Sequence, residues 1–174
     1  MERNNNDILR IILIILGIIV VVWLFSKLFM TQRSDNNNNN SSIVNLSGNQ
    51  EVQSVDTNAS GQAKVTLNED RTALYYEITT TPASTFTSPQ TAAHFHLGAR
   101  GENGPIVRTL NLQPVSATNG QRIYYEKGVW RNTDSEPLTQ ELVNHLLNGN
   151  IYINIHSEKY PDGEIRGQLT YSPD

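Results

Sequence analysis

The sequence predicts an all-β domain, an antiparallel β-sandwich of about eight strands with one short helix, preceded by a single N-terminal transmembrane helix. Three observations predict it. Residues 8–30 form a nearly unbroken aliphatic run. From Ile43 to Leu169, short stretches of two-residue alternation recur between Gly, Pro and Asn punctuation. A single segment, Leu138 to Gly149, carries helical spacing together with start and stop signals.

The chain therefore divides into a short tail (1–7), an anchor (8–30), a linker (31–42) and a domain (43–174). Ile8 to Met30 is interrupted only by Arg10, Gly17, Ser26 and Lys27. At about 1.5 Å rise per residue, this run reaches the thickness of a bilayer hydrocarbon core. Arg10 and Lys27 stand near its ends, where their stems can snorkel, and Trp23 and Phe25 suit the interface. A cleaved signal peptide is the competing reading, but no A-x-A-like site follows Val22. The lipid bilayer is thus the first expected partner, through residues 8–30. Arg3 and Arg10 are nearly balanced by Lys27 and Arg33, and the free amino terminus tips the charge toward a cytoplasmic N-terminus with the domain outside. The linker, TQRSDNNNNNSS, lacks apolar residues and reads as a flexible tether. Asn39, Asn40, Asn45 and Asn58 begin N-x-[ST] sequons.

Composition excludes several classes. The chain carries a net charge of −4 without a basic run, so nucleic acid is not an expected partner. It has no cysteine, which removes disulfides, thiolate metal sites and cysteine nucleophiles.

Within the domain, Ile43–Ser47 is followed by a Gly48-Asn49 turn. Gly61–Leu67 and Ala73–Thr79 form a hairpin, with Ala63, Val65, Leu67 on one face and Leu74, Tyr76, Ile78 on the next. A Ser/Thr-rich loop bracketed by Pro82 and Pro89 leads into a strand through Ala93, Phe95 and Leu97, so His94 and His96 point away from the apolar face. A Gly-rich turn, Ile106–Leu112 and a strand over Arg122–Trp130 follow. Thr139 then caps a helix, with Leu138 and Val143 as its staple and Gly149 past its end. The last hairpin pairs Ile151–His156 with Glu164–Leu169 around Pro161-Asp162-Gly163. Its apolar residues share one face and gather Asn154, His156, Glu164, Arg166 and Gln168 on the other.

Leu46–Val52, Ala93-His94-Phe95-His96, Gly104–Val107, the helix and the two arms of the last hairpin together resemble the CHRD domain, named for chordin, over Ile43 to Tyr171. The chain departs from that pattern at Phe95, Leu97, Ser157 and Gln53-Ser54. The resemblance implies an extracytoplasmic β-sandwich, set in chordin in a context of binding secreted growth factors that does not transfer to this chain, and no reaction. The leading expectation is a membrane-anchored module for an extracellular protein or surface ligand, with no catalytic residues. The alternative is an extracytoplasmic metalloprotein, of superoxide-dismutase-like character by analogy with its H-x-H strand.

The polar residues admit the same two readings. The first is a structural network, with Glu164 and Arg166 paired across the hairpin. The second is a Zn²⁺ or Cu²⁺ site on His94, His96 and His156, with Glu164 as a fourth ligand or its support. Adjacency of the two histidine strands, with the imidazoles meeting within about 4–5 Å, favours the second reading; an intervening strand favours the first. His145 is expected at the surface, Tyr75, Tyr76, Tyr124 and Tyr125 in sheet packing, and Ser157 facing away from His156.

Overall fold

The computed structural model describes residues 41–81, 93–115 and 123–171. In chain order these form β1 (Ser41–Ser47), a 3-10 turn (Gly48–Gln50), β2 (Ser60–Leu67), β3 (Ala73–Thr81), β4 (Ala93–Leu97), β5 (Ile106–Thr109), β6 (Gln113–Val115), β7 (Ile123–Arg131), α1 (Gln140–Leu147), β8 (Ile151–Ile155) and β9 (Ile165–Gln168). The anchor, the tail, most of the linker and the loop from 82 to 92 lie outside the described residues. Among the described residues, no helix is long and apolar enough to cross a membrane.

The all-β antiparallel expectation holds, but the sandwich does not. All nine strands belong to one sheet, ordered β5-β4-β8-β9-β1-β2-β3-β7-β6, which curls into a half-barrel. The curl brings Phe95 of β4 against Trp130 of β7, ring centroids 5.4 Å apart and stacked, and edge-on to Tyr76 of β3 at 5.5 Å. The two halves face one another as in a sandwich, yet the ladder runs through them where Ser47 of β1 pairs with Arg166 of β9. Alternation in a sequence reports which face is buried; it carries no information on whether two buried faces belong to one sheet or two.

Three boundaries also shift. β1 begins at Ser41, inside the stretch assigned to the linker, because Ser41 and Ser42 continue the ladder opposite Thr66 and Val65. The expected strand over Ile106–Leu112 stops at Thr109, and Leu110 and Leu112 turn into the core ahead of β6. The ninth strand is β6, which lies beyond the expected Ile106–Leu112 run and pairs with β7. α1 is the inner part of the helical segment, capped as expected by Thr139, whose Oγ1 accepts from the Leu142 N–H at 3.2 Å. Its end is closed by Gly149 N–H on the Leu146 carbonyl and Asn150 N–H on the His145 carbonyl, so β8 leaves the helix in a fixed direction.

Candidate metal centre

β4 pairs directly with β8, which sets His94 opposite Asn154 and His96 opposite Tyr152. Ala93, Phe95, Ile153 and Ile155 fill the inner face of these strands and are essentially inaccessible. Strand alternation therefore sends His94, His96, Tyr152 and Asn154 outward. His156, one residue past β8, is a diagonal neighbour of His94, within reach of a long side chain. The three imidazoles meet: one nitrogen from each of His94, His96 and His156 lies within 4.8 Å of the others.

Two of the rings are oriented by carbonyls. His96 Nδ1 lies 2.9 Å from the Gly104 carbonyl, and His156 Nδ1 lies 2.9 Å from that of Pro161. A carbonyl only accepts, so each Nδ1 carries the hydrogen and each Nε2 offers a lone pair. His156 Nε2 stands 3.1 Å from His94 Nδ1, which therefore donates to it in the metal-free protein. His96 Nε2 is buried and has no hydrogen-bond partner. Metal-binding histidines characteristically have one ring nitrogen held by a carbonyl or carboxylate while the other binds the ion.

Electrostatics keep the rings neutral. Burial, aided by the neighbouring His156 and His96, holds His94 down at about 4, against a smaller opposing pull from Glu136. His96 and His156 are also lowered, in each case chiefly by burial. Neutral imidazole is the form that ligates, so no deprotonation cost opposes an ion at neutral pH.

The remaining polar residues of the hairpin do other work, and Glu164 and Arg166 are not paired. Glu164 Oε1 accepts from Thr57 Oγ1 at 2.6 Å, so the carboxylate is turned to the segment after β1 and the described metal-capable group consists of imidazoles alone. Arg166 is 1% exposed, and the loop after β4 surrounds its guanidinium. It donates to the carbonyls of Glu102 and Ala99, both at 2.9 Å, and to Gln168 Oε1 at 2.8 Å. Gln168 Nε2 in turn donates to the Gly98 and Gly149 carbonyls. Tyr152, between β4 and β9, stacks on His96 at 4.9 Å and carries the Arg166 guanidinium 3.5 Å from its ring centre. The two outer-face systems are thus joined through one ring.

The 98–105 loop is what the sequence left out. A side chain at Gly104 would overlap the Leu97 carbonyl, so only glycine lets the loop close down far enough for its own carbonyl to hold His96. The same glycine's N–H donates to Tyr152 Oη at 3.1 Å. Glu51 was also missed. It follows the 3-10 turn and lines a cavity of about 610 Å³ beside His96, together with Tyr152, Asn154 and Tyr160. Burial raises its carboxyl to about 7, against the lowering field of Arg166. No residue spacing links Glu51 to a hairpin a hundred positions later; only the closure of β1 on β9 does.

Of the residues given other places, Ser157 is buried with Oγ accepting from the Tyr160 N–H, away from nucleophilic geometry toward His156. His145 is partly exposed beside Glu141 on α1. Tyr76 and Tyr124 pack in the sheet, whereas Tyr75 is half exposed.

A single curled antiparallel sheet, one short helix and an H-x-H strand beside a polar hairpin define an all-β domain. The chain belongs to the CHRD-domain family, whose model matches residues 43–169. Neither the search of curated proteins nor that of solved structures returned a match.

Proposed function

We propose that this protein is a single-pass membrane protein that displays its CHRD domain outside the cell and holds a Zn²⁺ or Cu²⁺ ion on His94, His96 and His156. The observation that carries the metal reading is the convergence of three neutral imidazoles on directly paired strands, two of them oriented through Nδ1 by backbone carbonyls. Three nitrogen donors favour these ions over Ca²⁺ or Mg²⁺. No reaction is assigned. The second reading, a binding or interaction module for an extracellular protein or surface ligand, is supported by the family and by the anchor and linker ahead of the domain.

Metal content of the full-length chain, purified without a polyhistidine tag, tests the site. One Zn²⁺ or Cu²⁺ per chain is expected. It should be lost in His96→Ala and His156→Ala, and a hundredfold excess over Kd should raise unfolding free energy by about 2.7 kcal/mol. Less than stoichiometric metal that adding either ion does not increase rejects the site. Protease added to intact cells should remove the domain; full protection rejects the orientation.

A further inference from the structure

The cavity beside His96 contains more unmet hydrogen-bonding capacity than a metal site explains. Among the described residues, Glu51 Oε1, His96 Nε2 and Asn154 Oδ1 are buried without a partner, and all three residues line this one cavity. Two of them have nothing to do with ligating an ion in the histidine group. Asn154 is 2% exposed, and its Nδ2 reaches the Asp162 carbonyl at 3.5 Å, which leaves Oδ1 directed into the space. Glu51 Oε1 lies close to the Asn154 amide: a Cβ built on Gly163 would stand 2.8 Å from Glu51 Oε1, 2.7 Å from Asn154 Oδ1 and 2.6 Å from Asn154 Nδ2. Gly163, with φ of 137°, leaves that spot open, and no L-residue adopts its conformation comfortably. The nearest strong donor, Arg166, is already engaged by two carbonyls and Gln168.

Buried acceptors without a protein donor are unfavourable until water or a ligand supplies the missing hydrogens, and a cleft roomy enough for a small molecule lets a ligand do so. Asn154 Oδ1 and His96 Nε2 only accept, while Glu51, its carboxyl raised to about 7, accepts when ionised and donates when protonated, so hydroxyl groups, which do both, fit better than an anion. Lys159 lines the cavity and the Arg166 cation lies near Glu51, which disfavours an ammonium group. What remains is a neutral molecule with several O–H donors. Val52, Val55 and Tyr160 supply apolar wall for its carbon skeleton.

We propose that this cleft binds a neutral polyhydroxylated ligand, a saccharide or a polyol, whose hydroxyl groups donate to Glu51 Oε1 and Asn154 Oδ1. The site is independent of the metal reading, since neither acceptor is an imidazole of the metal group.

The test is a ligand-observed NMR titration of the full-length chain in a polyoxyethylene detergent, whose head group carries no sugar, with chelator present. Glucose, galactose and N-acetylglucosamine form one arm; sorbitol and glycerol form the other, and preference between the arms names the source. Saturable binding at or below about 10 mM is expected from at least one probe. Glu51→Leu and Asn154→Leu should each weaken it about tenfold or more. Because each removes an unsatisfied buried acceptor, their unfolding midpoints should be unchanged or higher, which separates lost binding from lost folding. Absence of saturable binding to every probe overturns the proposal, as does binding that both variants leave intact. Displacement of the sugars by methylammonium overturns the choice of a neutral ligand. Binding that appears only with added Zn²⁺, and survives Glu51→Leu, would place the ligand on the ion and also overturn it.

Discussion

The two halves of the curled sheet are built from similar alternating strands and treat their outer faces in opposite ways. In β2 and β3, Lys64, Tyr75, Glu77 and Thr79 are exposed while Ala63, Val65, Tyr76 and Ile78 are buried, the pattern of a sheet with one wet face. In β8 and β9 every residue is buried, and in β4 all but Leu97. The covering material is loop: residues 98–105 lie over Arg166 and Gln168, and the turn after β8 reaches His156. Polar side chains on the first half need only water. Those on the second must find partners within the protein, and three of the atoms that find none, on Glu51, His96 and Asn154, lie together at the cavity beside the histidine group.

The largest effects should come from the covered half, and from both of its faces. Phe95→Ala removes the ring stacked on Trp130 and should cost about 3–5 kcal/mol in denaturant unfolding. Arg166→Met keeps the volume but strips donors from the Ala99 and Glu102 carbonyls and Gln168 Oε1. A loss of about 3 kcal/mol or more is expected. A cost below about 1 kcal/mol would mean that the loop is not held by Arg166. Arg166→Met should also loosen Tyr152 and the Gly104 loop, and so weaken metal uptake even though Arg166 touches no imidazole.

That coupling shows where sequence reasoning reached and where it stopped. The strands, the capped helix and the outward pointing of His94, His96 and His156 were legible, because alternation and caps are local. The pairing of β4 with β8 was not legible, since it joins residues some sixty positions apart across a helix. Glu164 looked like a ligand because it shares a hairpin face with His156. Thr57, from a distant segment, takes its carboxylate instead. The role of Glu51 depended on closing the sheet between β1 and β9, and the covering loop on the close approach at Gly104, neither of which leaves a periodic signal.

A smaller effect, of known sign, separates the two kinds of buried titratable group in the covered half. His94 is lowered from 6.5 to about 4, and His96 and His156 are lowered with it. Below their ordinary range the unfolded chain takes up protons that the folded chain refuses, so the stability they contribute is lost as pH falls from about 6.5 toward about 4. Glu51 acts the other way. Raised from 4.5 to about 7, it favours the folded chain at acid pH, and that contribution is lost as pH rises through the same window. Three histidines against one carboxyl predict a net rise in the unfolding midpoint of metal-free protein from pH 4 to 6.5. Glu51→Leu should steepen the rise and His94→Asn should flatten it. A Glu51→Leu profile that becomes shallower would contradict the assigned direction.

The smallest effect belongs to the wet half and sets the baseline for the rest. Lys127 and Glu77 face each other on β7 and β3 at 3.9 Å, with side chains 72% and 47% exposed. Solvent screens such a pair, and fixing two long side chains offsets what attraction remains, so Lys127→Ala should cost no more than about 0.5 kcal/mol. What little it costs should fade in high salt. Arg166 is a cation on the outer face of the same sheet, and it differs from Lys127 chiefly in being covered by a loop whose carbonyls it must satisfy. If Lys127→Ala proved as damaging as Arg166→Met, the cover could not be the source of the difference, and both residues would have to act through the strand ladder they share.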